Sequence, residues 1–256
     1  MQHPTPPGSR WLTAALAAAL LLAATAAPAA DRATSALPMA SGPASTVASL
    51  ADGLVVDRPV AAARLSAPGL DPALLDLALS SLDCARRAGV ADDRADKVLS
   101  IIDYRLPSTA PRLWVLDLEH GSTLFVERVA HGRSTGENIA THFSNVPESN
   151  ASSVGLFRTG ETYMGKHGLS LRLDGLEPGF NDEARARGIV VHGADYCTAE
   201  HVDTYGRLGR SQGCPALDPG VSSAVIDTVR DGTLLFAYFP EADWLARSAF
   251  MHCDAA

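Results

Sequence analysis

Between residues 112 and 239 the chain is divided into short segments of strand length, each closed by Gly, Pro, Asn, Asp or Ser. That punctuation reads as a β scaffold. Residues 112–118 and 123–130, separated by Glu119-His120-Gly121-Ser122, predict a hairpin. Further strand candidates are residues 154–158, 169–173, 188–192 and 233–239. Residues 132–153 are polar and rich in Ser, Thr and Asn, and residues 174–182 carry Gly175, Pro178 and Gly179, so both read as loops. Long loops on a compact β scaffold are where binding groups collect. Helices flank this region. Over residues 71–88, Asp71 is a natural N-cap, Pro72 suits the first helical position and Gly89 suits the stop. Leu74, Leu75, Ala78, Leu79, Leu82 and Ala85 form one apolar stripe, which predicts packing against the domain. A second helix is expected from Asp218-Pro219 to about Arg230, with Gly232 after it.

The apolar run Gly188-Ile189-Val190-Val191 ends at His192, which places an imidazole at the end of a buried strand. Twenty-two residues further on stands Cys214, preceded by Ser211-Gln212-Gly213 in a turn-like segment. A thiol and an imidazole brought together can form a nucleophile and base for acyl transfer. His192 would accept the thiol proton and later return it to a leaving amine. Its other nitrogen needs an orienting partner, for which Asp195 or a backbone carbonyl near Gly193 is available. The N–H groups of Gly213 and Cys214 are suitably placed along the chain to receive an oxyanion. Gly213 permits the turn, and Ser211 is expected to fix it through a side-chain hydrogen bond.

The N-terminus reads as a targeting signal: Arg10, an apolar stretch over residues 11–27, and small residues at Ala27-Pro28-Ala29. A retained membrane anchor is the rival reading. Residues 1–30 are thus expected to be a signal peptide and the protein to be exported. Residues 31–66, rich in Ala, Ser and Pro, read as a flexible lead-in. Removing the leader, whose one charge is Arg10, moves the formal net charge from −8 to −9 and argues against a nucleic-acid partner. The remainder suffices for one domain with its own core. We expect a helical extension over residues 67–97 and the catalytic domain over 98–245.

In an exported chain Cys84, Cys197, Cys214 and Cys253 would default to disulfides. A nucleophilic Cys214 must stay free, which leaves at most one bridge and one odd thiol; Cys197 with Cys253 is one possible pair. The spacings resemble no zinc knuckle.

The stretch Gly188-Ile189-Val190-Val191-His192-Gly193 followed by Ser211-Gln212-Gly213-Cys214 resembles the L,D-transpeptidase (YkuD-type) catalytic domain, whose hallmark ends in Ser/Thr-His-Gly-Cys. Ala130-His131-Gly132-Arg133, the run Gly160 to Gly168, Ser170-Leu171-Arg172-Leu173-Asp174-Gly175-Leu176 and His192-Gly193-Ala194-Asp195-Tyr196 are similar to the murein L,D-transpeptidase branch. The resemblance runs from about Val98 to Phe239. It implies a mainly β, sandwich or barrel-like catalytic fold with a few helices. It also implies a thioester on the cysteine, formed by cleaving the bond between an L-centre, usually that of meso-diaminopimelate, and the terminal D-Ala of a peptidoglycan stem. An amine acceptor then gives a 3→3 cross-link, and water gives a tripeptide. Cys214 matches the nucleophile, His192 the base and Gly213 the oxyanion-loop glycine. The family also implies action in the periplasm or cell wall, no cofactor, stem peptides as partners and covalent inhibition by carbapenems. A monomer is expected.

Two departures stand out. Gln212 occupies the place of the motif histidine, and Pro215-Ala216-Leu217 replaces the usual apolar-Arg or apolar-Asn step. A substrate-carboxylate contact must then come from elsewhere, with Arg210, Arg172 and Lys166 as candidates. Tyr163, Lys166 and His167 lie in a Gly-flanked segment that reads either as a groove-lining loop or as a structural hairpin. Gly193 and Asp195 complete the expected binding set. His131, His142 and His201 read as solvent-facing or structural, and Glu161 and Asp174 as surface or turn residues. Other readings are a zinc hydrolase using His192, His201 and Cys214, a sortase-like transpeptidase with Arg230 or Arg247, and a peptidoglycan-binding module whose catalysis has decayed.

Overall fold

The computed structural model describes residues 67–253. The expected leader, the lead-in up to residue 66 and the last three residues lie outside them. Helix α1 spans Pro72–Arg87; the Asp71 carboxylate accepts the Ala73 N–H and Pro72 opens the first turn. Its apolar stripe is buried in the same core as the sheet, so this helix belongs to the same folded unit. Burial of Leu74, Leu75 and Leu82 contributes about 1.5–3 kcal/mol each.

Eight strands form one sheet: β1 (Val98–Asp103), β2 (Leu113–Asp117), β3 (Ser122–Glu127), β4 (Gly155–Gly165), β5 (Gly168–Gly175), β6 (Val190–Gly193), β7 (Ala216–Leu217) and β8 (Leu234–Tyr238). Their order is β3-β2-β1-β8-β4-β5-β6-β7. The β1–β8 and β6–β7 pairs are parallel and the others antiparallel. Ala130, just past β3, bridges Ala216 of β7, and its N–H donates to the Ala216 carbonyl at 2.8 Å. The two edges therefore approach each other and the sheet nearly closes, which hides edge groups from solvent. The fold is mainly β, as expected.

Three helices complete the unit: α2 (Ala199–Tyr205), α3 (Pro219–Val229, N-capped by Asp218) and α4 (Ala242–Arg247). Helix α4 is fastened by Trp244, fully buried, whose indole N–H donates to Glu177 at 2.8 Å. The other oxygen of that buried carboxylate accepts the Leu156 N–H at 2.7 Å.

Several elements differ from the sequence reading. The strand expected over residues 154–158 is longer: β4 continues to Gly165 and pairs with β5 across a register shift between Thr159 and Thr162, so the segment from Gly160 to Gly168 is the distal half of a hairpin, one of the two readings offered for it. The disulfide joins Cys84 to Cys253. Cys197 is therefore not the partner of Cys253: it is buried in a separate small cluster with Ala130, Ala194, Leu208 and Ala216, and its thiol donates to the Ala216 carbonyl. Among the described residues no helix is long and apolar enough to cross a membrane.

Candidate active site

Strand β6 lies between β5 and β7, with His192 opposite Ser170 on one side and Ala216 on the other. That pairing brings Cys214, two residues before Ala216, back to the end of β6. The contacts follow directly. The Val190 N–H points at the Cys214 sulfur at 3.5 Å, and the thiol faces the Gly188 carbonyl at 3.7 Å. Cys214 is half-buried and His192 is 3 % exposed, and both line one cleft of about 340 Å³.

The imidazole has a defined tautomer. Nδ1 of His192 lies 2.8 Å from the Gly193 carbonyl, and a carbonyl only accepts, so Nδ1 carries the proton and Nε2 is left as the base. The orienting partner is thus the backbone. Asp195 is exposed at the start of a short 3₁₀ turn, Asp195–Cys197, and lines a neighbouring cleft of about 370 Å³ together with Gly193. Lys166 and His167 border both clefts. The His167 ring stacks on His192 with centroids 4.5 Å apart.

The electrostatics favour a neutral resting pair. Burial pushes the Cys214 thiol above its ordinary value; the Val190 N–H and the charges of Arg187 and Lys166 pull the other way without prevailing. Burial lowers the His192 pKa, and nearby His167 and Lys166 lower it further against the Gly193 hydrogen bond. Both shifts favour the uncharged forms, thiol and imidazole.

Ser211 holds the turn that carries Cys214. Its hydroxyl donates to the Cys214 carbonyl at 2.7 Å and accepts the Gly213 N–H at 3.0 Å. This corrects the expectation that Gly213 donates to an oxyanion: its N–H is already committed to Ser211 inside the turn. The Cys214 N–H has no acceptor among the described residues and remains the candidate donor. Gly213 is required for other reasons. It sits at φ +123°, and a Cβ there would lie 2.8 Å from both the Ala151 carbonyl oxygen and Ile189 Cδ1.

Arg210, Tyr163, Lys166 and His167 all line the cleft shared by Cys214 and His192. Arg172 does not: its guanidinium covers the Tyr163 ring at 4.5 Å and pairs with Glu161. Two further arginines lie in the cleft: Arg133, read from sequence only as the end of the Ala130-His131-Gly132-Arg133 motif and not as a binding residue, and Arg187, which was not singled out. Arg187 gives one nitrogen to the Ser144 carbonyl and Ser153 hydroxyl, both at 2.7 Å, and the other to the Ala151 carbonyl at 2.6 Å and Ser149. It ties the 144–153 loop beside Cys214. Its only advance signal was its place just before the strand that ends in His192.

His131 is structural, as one reading had it. It is 1 % exposed and accepts a hydrogen bond at Nδ1 from the fully buried Arg112, at 2.8 Å. Its carbonyl in turn accepts the Ser211 N–H at 3.0 Å. Glu161 and Asp174 lie in a surface ion-pair network through Arg185. Among the described residues no three His, Cys, Asp or Glu side chains are grouped to hold a metal ion, so His192, His201 and Cys214 do not assemble as zinc ligands.

A family model described as L,D-transpeptidase catalytic domain matches residues 66–238. No curated protein matches the chain. Among solved structures it is similar to an L,D-transpeptidase from Mycobacterium smegmatis, at 16% identity over 56% of this chain and 59% of that one, with a TM-score of 0.36. It is likewise similar to the L,D-transpeptidase LdtMt1 in complex with imipenem, at 16% identity over 56% and 59% of the two chains, TM-score 0.35. The helical cell shape determining protein Pgp2 from Campylobacter jejuni gives 16% identity over 63% and 57%, TM-score 0.38. The chain thus spans about 59% of the length of the first two of these proteins.

Proposed function

Because this chain belongs to the L,D-transpeptidase catalytic domain family, we propose that it is a cysteine acyltransferase acting on peptidoglycan stem peptides. The observation that carries the reading is the shared cleft of Cys214 and His192, with Nδ1 of the imidazole fixed on the Gly193 carbonyl and Nε2 left as base.

In this mechanism Nε2 takes the Cys214 proton as the sulfur attacks the carbonyl between the L-centre of the third stem residue and the terminal D-Ala. The Cys214 N–H receives the oxyanion. As the tetrahedral intermediate collapses, the imidazolium returns its proton to the departing D-Ala amine, leaving a thioester on Cys214. An amine of a second stem then loses its proton to Nε2 and attacks the thioester. The thiolate leaves and is reprotonated, and a 3→3 cross-link remains. With water as acceptor the same steps give a tripeptide. Family membership also leads us to expect that carbapenems acylate Cys214. The apolar stretch over residues 11–27 supports action outside the cytoplasm, in the periplasm or cell wall.

The test is mass spectrometry of products from a purified disaccharide-tetrapeptide, with Cys214→Ala alongside. Cross-linked dimer that requires Cys214 is the expected result. Tripeptide alone makes the enzyme an L,D-carboxypeptidase. No product at all, with the variant and wild type identical, refutes the acyltransferase reading and favours a binding module.

A further inference from the structure

The catalytic cleft is cationic although the chain is acidic overall. Among the described residues Arg133, Lys166, Arg187 and Arg210 line it and no Asp or Glu does, while the whole chain carries a formal charge of −8. Such a concentration of one sign recognises the opposite sign in a ligand. The four cations are not equivalent. Arg187 is consumed by the carbonyls and hydroxyls of the 144–153 loop. Arg210 pairs with Glu137 at 2.6 Å and donates to the Arg133 and Gly136 carbonyls. Lys166 borders both this cleft and the neighbouring one that holds Asp195.

Arg133 remains. Its backbone is fixed, because its N–H donates to the Ser211 carbonyl at 2.9 Å at the start of the nucleophile turn. Its side chain is exposed and has no ion pair or hydrogen bond among the described residues. It also lines a second cleft of about 510 Å³, which shares Arg133, Arg187 and Gln212 with the first. The guanidinium therefore stands uncommitted at the junction of two clefts, on a backbone anchored to the catalytic turn.

We propose that Arg133 binds a free carboxylate of the acyl-donor stem and that the enzyme thereby selects donors whose side carboxylates are not amidated. The proposal rests on the stem-peptide reading above. A guanidinium presents paired N–H donors that match the two oxygens of a carboxylate. Amidation replaces one oxygen by an NH₂ group, so a donor faces a donor and the ionic attraction is lost.

The experiment compares two purified tetrapeptide donors, one with free side carboxylates and one with those carboxylates amidated. Affinity is measured by calorimetry on the Cys214→Ala protein, and kcat/KM on the active protein, each with and without Arg133→Gln. Losing a charge-assisted contact should weaken the free-carboxylate donor roughly 10- to 100-fold, mainly in KM. Arg133→Gln should leave the amidated donor within about 3-fold. Arg210→Gln serves as the comparison: with its guanidinium already engaged by Glu137, it should affect both donors alike. The proposal is overturned when the wild type treats the donors equally, or when Arg133→Gln weakens both by the same factor. Selective binding without turnover would sustain the carboxylate contact and refute the acyltransferase reading. Turnover without selectivity would do the reverse.

Discussion

Ser211→Ala removes one oxygen that performs two tasks. Its hydroxyl donates to the Cys214 carbonyl at 2.7 Å and accepts the buried Gly213 N–H at 3.0 Å. Ser211 is only 7 % exposed, so water cannot easily replace it. Each polar group left without a partner costs about 1–2 kcal/mol, so the substitution should destabilise the protein by ~2–4 kcal/mol. For a domain of this size that corresponds to a fall in Tm of about 5–15 °C. Thermal and urea denaturation followed by circular dichroism would measure it. Ser211→Thr, which keeps the oxygen, should retain most of the stability. Because the lost bonds lie within the nucleophile turn, kcat should fall in Ser211→Ala even at temperatures where the protein is folded. A melting temperature within about 1 °C of wild type would show that the hydroxyl does not hold this turn, and the account of Gly213 would fail with it.

Burial sets the Cys214 thiol above its ordinary value, so alkylation by iodoacetamide should be slow near neutral pH and rise only in the alkaline range; a fast plateau below pH 7 would reveal a thiolate–imidazolium pair instead. Slow alkylation of the free enzyme therefore does not mark a decayed site. Reducing the Cys84–Cys253 bridge, which spans 169 residues of sequence, should lower stability by up to about 5 kcal/mol through the freedom it restores to the unfolded chain; an unchanged denaturation midpoint in reductant would contradict this. His131, held at about 4 by burial and Arg112, is a source of acid sensitivity. The unfolded chain binds its proton from pH 6.5 downward and the folded protein only from about pH 4. Its contribution is intact above pH 6.5 and is lost as pH falls through that window, at about 1.4 kcal/mol per unit. The slope of stability against pH should flatten in His131→Asn, and an identical acid limb would assign the sensitivity elsewhere.

What the sequence disclosed follows the range over which its signals act. Helices α1 and α3 were legible because an Asp cap, a Pro in the first turn and an apolar stripe lie within a few residues of each other. Strand β6 was legible as an apolar run, and the His192–Cys214 pair as a motif. Strand β7 was not: two residues after Pro215 carry no period, and they form a strand through pairing with His192 and Gly193 on one side while Ala130 bridges Ala216 on the other. The disulfide was hidden for the same reason, since the fold alone brings α1 and the C-terminal segment together. Arg133 and Arg187 gave no periodic signal, and they became part of a site when separate loops converged on the nucleophile turn.

These long-range contacts decide how the site must work. The motif supplies a thiol and a base, and on that information alone a preformed thiolate is as reasonable as a neutral pair. Burial favours the neutral pair, because charge on either partner has lost much of its water. The cations compensate only in part: Arg187 is occupied by the 144–153 loop, and the charge of Lys166 favours a thiolate on Cys214 while disfavouring an imidazolium on His192. A carboxylate bound in the cleft would act on the two partners in opposite senses, easing a cationic imidazole while opposing a thiolate. Substrate charge therefore acts mainly in recognition, and the penalty for an amidated donor should fall on KM rather than kcat.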